Sequence, residues 1–322
     1  MIRFPFRPAV AAIVAAAFLL GVPGSLGAAP RVVASIVPVH SLVAGVMAGI
    51  GIPDLVVSGA GSPHTYVLRP SAARALSEAD VVFWIGPIYE SFLAKPLAAL
   101  SHQARVVELA HAPGIHLLPA RGGRAWAMHD HDRDGGHDHP HGEHDHQKAQ
   151  DEVDGHLFLD PENAKAIVRT AAAVLGDIDP GHAARYSANA ADVITRLDAL
   201  DGELRAALAP VRAKPFVVFH DAYQYFERRY GLNAVGSITV SAERQPGARR
   251  LQQLRDKISR LGAVCVFSEP QFTPALVQTV VERTEARTGV LDPLGATATP
   301  GPDAYFALMR NLGRSLTNCL AG

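Results

Sequence analysis

Apolar runs and helix-period stretches alternate along most of the chain. Arg31 to Val37 is alternating and β-branched, which predicts a first strand, and Pro38 opens a helix to about Ala48. Asp54 to Ser58 predicts a second strand, followed by a Gly-rich loop. Pro70-Ser71 then opens a helix with Glu78 near its end. Val81 to Ile85 is apolar throughout, as in a strand buried on both faces of a parallel sheet. A helix over 88–100 and a strand at Val106-Val107 complete this half.

Asp160-Pro161-Glu162 is a helix start, with a capping carboxylate, proline in the first turn and an acid beside it. That helix runs to about Leu175. A longer one spans 180–209, with Val193, Ile194, Leu197, Leu200, Leu204 and Leu208 on a single stripe. Strands are then expected at 216–219, 234–237, 263–267 and 290–291, and helices at 223–230, 247–261, 274–287 and 302–320. The fold class is therefore α/β. Two lobes with parallel-type sheets, 30–179 and 210–322, flank a stiff linker helix at 180–209.

Two stretches stand outside this pattern. Residues 1–29 read as a signal peptide: Arg3 and Arg7, an apolar core from Val10 to Leu20, and small residues from Ser25 to Ala29. A membrane anchor is the alternative, but the apolar core is short and breaks at Gly21, Pro23 and Gly24. Between 121 and 154 apolar periodicity fails, and His, Asp, Gly, Glu and Gln dominate. A loop is expected there, carrying His129, His131, His137, His139, His141, His144 and His146.

A net charge of −1 gives no electrostatic basis for binding nucleic acid or an anionic bilayer. Cys265 and Cys319 are the only cysteines. In an exported chain such a pair is expected to bridge, joining a buried strand to the last helix; two unrelated buried thiols are the alternative.

Three further histidines sit in similar frames. His64 follows the Gly-rich loop, His156 follows Asp154-Gly155, and His220 ends the run Pro215 to Phe219. Neutral imidazoles favour zinc, whereas manganese and calcium favour oxygen. Any one of them alone is more simply a surface or core histidine. Asp221 directly follows His220, where it could orient the imidazole or cap the next helix. In open parallel sheets ligands bind beyond the carboxyl ends of strands, where His64, His220 and Asp292 all fall.

The segments His64-Thr65-Tyr66-Val67-Leu68-Arg69-Pro70, His156-Leu157-Phe158-Leu159-Asp160-Pro161 and Phe219-His220-Asp221-Ala222-Tyr223 resemble the ligand segments of bacterial zinc solute-binding proteins of the ZnuA type (cluster A-I). Phe267-Ser268-Glu269-Pro270-Gln271-Phe272 and Leu291-Asp292-Pro293 match that type in position. The resemblance implies two α/β lobes joined by a rigid helix, with Zn2+ in the inter-lobe cleft on His64, His156 and His220. Some members carry an acid before the first histidine; here Pro63 stands there. The fourth ligand is then water or Asp292, which aligns with a carboxylate ligand of manganese-binding relatives. Asp292 could equally cap a turn.

The implied role is a monomeric periplasmic zinc receptor serving the permease, and through it the cytoplasmic ATPase, of an ABC importer. Such a receptor does not itself span the membrane. The His/Asp-rich loop matches an insert of the zinc members and would act as a store of weak sites. Two other functions fit the same residues. One is a zinc storage protein or chaperone using that loop. The other is a three-histidine zinc hydrolase with Glu269 as base.

Overall fold

The computed structural model describes residues 28–59, 61–121, 153–238, 247–272, 275–282 and 284–322. The signal peptide, apart from its last two residues, lies outside the described residues, as do His129, His131, His137, His139, His141, His144 and His146.

The first lobe carries strands β1 (Val32–Ile36), β2 (Asp54–Val57), β3 (Val81–Trp84) and β4 (Arg105–Glu108), with helices α1 (Val37–Val46), α2 (Pro70–Glu78) and α3 (Ser91–Leu100). Helix α4 (Pro161–Ile178) follows, then a 3-10 turn over Pro180–His182, then α5 (Ala183–Leu208). The second lobe carries β5 (Pro215–Val218), α6 (Gln224–Tyr230), β6 (Asn233–Ser237), α7 (Ala248–Leu261), β7 (Cys265–Ser268), α8 (Ala275–Val281), β8 (Arg287–Val290) and α9 (Ala304–Ala321).

The two sheets have the same plan, β2-β1-β3-β4 and β6-β5-β7-β8, and all pairings are parallel. Val33 pairs with Val82 in the first, and Phe216 with Cys265 in the second. In each sheet the first strand lies between the second and third, so strand order reverses there. Beyond the carboxyl ends at such a reversal the connecting loops diverge and leave a crevice.

Period-two alternation decides what each face of the second sheet does. Phe216, Val218 and Phe267 join a core continuous with the first lobe, including Phe83, Phe158 and Tyr305. Val217, Phe219 and Val266 face the other way, onto Leu254, Ile258, Val277 and Val280 of α7 and α8. The lobes thus share one core instead of meeting at a bare linker.

Two helices brace them. Helix α5, about 39 Å long at 1.5 Å per residue, buries Tyr186, Val193, Leu197, Leu200, Leu204 and Leu208 and packs on α4, α9 and α1. Helix α9 begins at the first lobe, where Tyr305 N donates to Ser41 Oγ and the Tyr305 hydroxyl donates to Phe158 O. It ends at the second sheet, where Cys319 is bonded to Cys265 with the Cα atoms 6.2 Å apart.

Some boundaries differ from those read from sequence. Helix α3 starts at Ser91, not 88, because Glu90 folds back and accepts from Ile85 N and Gly86 N. Helix α8 ends at Val281, and β8 begins at Arg287, ahead of the expected 290. Val153 and Asp154, expected in the loop, instead pair with the chain before it: Val153 bridges Pro119, and Asp154 N donates to Leu118 O.

Candidate metal centre

Three loops bring the histidines together. His64 follows β2, His220 follows β5, and His156 begins the 3-10 turn Leu157–Leu159 that leads into α4. The turn needs room, which Gly155 gives: a Cβ there would sit 2.8 Å from Tyr89 Cβ. Tyr89 in turn packs edge-on against His156 and His64, with ring centroids 4.9 and 5.2 Å away.

His64, His156 and His220 each offer a ring nitrogen, and these atoms all lie within 4.8 Å of one another. His156 Nε2 and His220 Nε2 are 3.3 Å apart. Their other nitrogens are occupied: His156 Nδ1 bonds Asp154 Oδ1 and His220 Nδ1 bonds Glu269 Oε1, both at 2.8 Å. Carboxylates accept, so each Nδ1 carries the hydrogen and each Nε2 presents a lone pair. Two lone pairs aimed at each other repel unless a proton or a cation lies between them. Two ligands of a tetrahedral zinc, with bonds of about 2.0–2.1 Å, stand about 3.3–3.4 Å apart. The observed spacing is that tetrahedral edge.

Burial sets the protonation. Burial, then the neighbouring imidazoles, push His64 down to about 3, and burial with His220 beside it pushes His156 well below the ordinary histidine value. Burial also opposes charge on His220, but the Glu269 carboxylate, with Asp221 and Asp154 behind it, outweighs burial and holds His220 above that value. Burial drives Asp154 up to about 7, against its hydrogen bond from His156 N and the charges of Arg121 and His220. A dication here would meet two buried carboxylates, Asp154 and Glu269, 7% and 2% exposed, whose charges balance it.

Asp221 neither orients His220 nor caps the following helix. It pairs with Arg121, and α6 begins at Gln224 without a side-chain cap. The orienting carboxylates are Asp154 and Glu269. The first was hidden in a stretch read as loop. The second lies 49 residues from its histidine, and the sequence reading weighed it only as a hydrolytic base.

Asp292 caps a turn. Its Oδ1 accepts from Leu294 N, Gly295 N and Gln271 Nε2, and its Oδ2 from Ala296 N. Among the described residues, the group close enough to share an ion comprises the three histidines and does not include it. Between His64 and His220 lies a cavity of about 10 Å³, lined also by Ser62, Tyr89, Glu269, Gln271 and Phe272. Among the described residues, Glu269 Oε2 and Gln271 Oε1 are buried without a hydrogen-bond partner, and the Tyr223 hydroxyl stands against the Glu269 carboxylate.

Among the described residues, no helix is long and apolar enough to cross a membrane. Over residues 32–319 the chain matches the family described as zinc-uptake complex component A, periplasmic. It is 52% identical over 324 residues to the high-affinity zinc uptake system protein ZnuA of Brucella suis biovar 1, covering 95% of this chain and 97% of that protein. A crystal structure of ZnuA superposes with a TM-score of 0.73 at 26% identity, covering 90% of this chain and 99% of that one. A zinc-bound ZnuA deletion mutant superposes equally well, with a TM-score of 0.73 at 26% identity over 91% of this chain and 98% of its own. On its sequence, its fold and its trio of histidines, the chain belongs to the ZnuA family of periplasmic zinc-uptake components.

Proposed function

We propose that this protein captures Zn2+ on His64, His156 and His220 and hands it to the permease of an ABC importer. The observation that carries the reading is the facing pair of Nε2 atoms, each fixed by a carboxylate behind it. Such a pair is built in advance for a small cation. The fourth ligand is a single water. The cavity beside His64 and His220 has room for about one, and Glu269 Oε2 and Gln271 Oε1 would accept its two hydrogens. Asp292, held by three backbone amides, stays out of the coordination sphere and orients Gln271.

The protein acts in the periplasm as a monomer once its leader is removed, and carries no catalytic activity of its own. Three histidines and a water beside a glutamate would suit a hydrolase, but a cavity of about 10 Å³ admits no ester or peptide. The histidines from His129 to His146 add weak sites that raise the local zinc concentration. A storage protein would depend on them, whereas this receptor would not. The test is competition titration of zinc on a protein deleted for 129–146. One tight site per chain is expected, lost on His220→Ala. Loss of all tight binding with the deletion alone, or parental affinity in the His220→Ala variant, would overturn the assignment.

A further inference from the structure

We propose that Arg121 is a positioning residue for zinc: a clamp across the lobes that sets how slowly the ion leaves. The clamp rests on the three-histidine reading above and extends it to a residue outside that trio.

Arg121 lies on the segment that follows Leu118 and Pro119 out of the first lobe, and its guanidinium grips two carboxylates of the second. Nε donates to both oxygens of Asp221 at 3.0 Å, with a further short contact from the same guanidinium to Oδ1. The two terminal nitrogens donate to Glu227 Oε2 and Oε1, at 2.7 and 3.1 Å. The side chains of Arg121, Asp221 and Glu227 are 19%, 16% and 8% exposed, so water screens this triad weakly. Asp221 is bonded in sequence to His220, and Glu227 lies on α6 just beyond. The clamp therefore holds the backbone that carries one ligand.

The same short stretch also holds the opposite ligand. Leu118 N donates to the Tyr225 hydroxyl, which donates to Asp154 O, and Gln224 Nε2 donates to Pro119 O. Asp154 is the carboxylate behind His156. Residues 118–121, 153–154 and 220–227 are thus stitched into one unit whose two sides carry His156 and His220. Moving His220 away from His156, which release of the ion requires, strains or breaks the grip of Arg121.

Two effects of Arg121 act in opposite directions. As a cation near the site it repels incoming Zn2+; as a fork across two carboxylates it resists opening. Arg121→Lys separates them, because lysine keeps the charge but cannot bind two carboxylates bidentately. The experiment is stopped-flow measurement of zinc association and of dissociation into excess chelator, on the full chain and on Arg121→Lys, Arg121→Ala and Arg121→Lys/Glu227→Gln. The Co2+ absorption spectrum of each reports the ligand set.

The expected result for Arg121→Lys is an unchanged Co2+ spectrum, association within about twofold of the parent, and dissociation faster by about tenfold, as for loss of one charge-assisted fork. Adding Glu227→Gln should increase that rate little further, since the grip is already broken. Parental dissociation in Arg121→Lys would overturn the clamp, as would a change confined to association in Arg121→Ala or a loss of thermal stability with no change in dissociation. A parent chain that binds no zinc tightly would instead sink the three-histidine site. Should Arg121→Ala fail to fold, Arg121→Lys decides the matter alone.

Discussion

The site has two unlike halves. His156 and His220 are fully built: both rings are buried, and a carboxylate behind each fixes its tautomer and direction. His64 is only partly buried, and among the described residues no hydrogen bond holds its ring; its backbone N–H bonds Ser62 Oγ, and Tyr89 packs on one side. The difference teaches a division of labour. On the proposed reading, two rings form a preordered jaw that costs little ordering when an ion arrives, and the third, carried on a Gly-rich loop, must be ordered on binding. Preorganised groups contribute more to affinity than groups that must be frozen on binding.

The largest test of that division is to remove the jaw. Replacing His156 or His220 by Ala should weaken zinc by more than ~100-fold, the upper end for loss of an outer partner. His64→Ala should cost less than either, because the ordering of that ring on binding offsets part of what it contributes. Equal losses in all three, measured by competition titration, would erase the proposed asymmetry.

Next come the carboxylates behind the jaw. Asp154→Asn and Glu269→Gln should each weaken zinc by about 10–100-fold while leaving a three-nitrogen site. If either bound like the parent, the orienting role would be lost and the carboxylate would be only a neutral fixture of the core.

The pH dependence separates the halves further. His64 at about 3 and His156 well below the ordinary value are already neutral at physiological pH, so zinc displaces no proton from them. His220 is held above the ordinary value and keeps its proton longer. A proton on His220 competes with the ion, so affinity should fall as pH drops through and below the neutral range. Histidine release should then contribute at most one proton per zinc, not three, with a fraction added by Asp154 near 7. Calorimetry in buffers of different ionisation enthalpy counts these protons.

The smallest effects on binding should come from the framework. Asp292→Ala should lower stability by about 1–3 kcal/mol, the range for orphaned buried donors, and shift zinc affinity less than tenfold. Breaking the Cys265–Cys319 bond, which closes a separation of 54 residues, should remove roughly 4 kcal/mol on the loop-entropy model. Thermal unfolding with and without zinc distinguishes these losses from a damaged site.

Much of this was legible in the chain. Apolar runs such as Val81 to Ile85 and the stripe on α5 mark buried elements because burial leaves periodic signatures. The three proposed ligand segments were readable through their resemblance to those of zinc solute-binding proteins, since any one histidine alone would pass for a surface or core residue. What sequence could not supply was pairing over distance. Nothing local distinguishes Glu269 from a solvent-facing acid, and Asp154 borders a run of acids and histidines that masks it. Asp221 was misread for the same reason: proximity in sequence favours His220, while in space its partner is Arg121, 100 residues away.

The central claim, one ion gripped by three distant imidazoles, is tested most directly by diffraction from the zinc-loaded protein at the zinc absorption edge. A single strong anomalous peak is predicted in the cleft, bonded to His64, His156 Nε2, His220 Nε2 and one water oxygen. A principal peak elsewhere, or one bonded to Asp292 in place of any of the three rings, would contradict it.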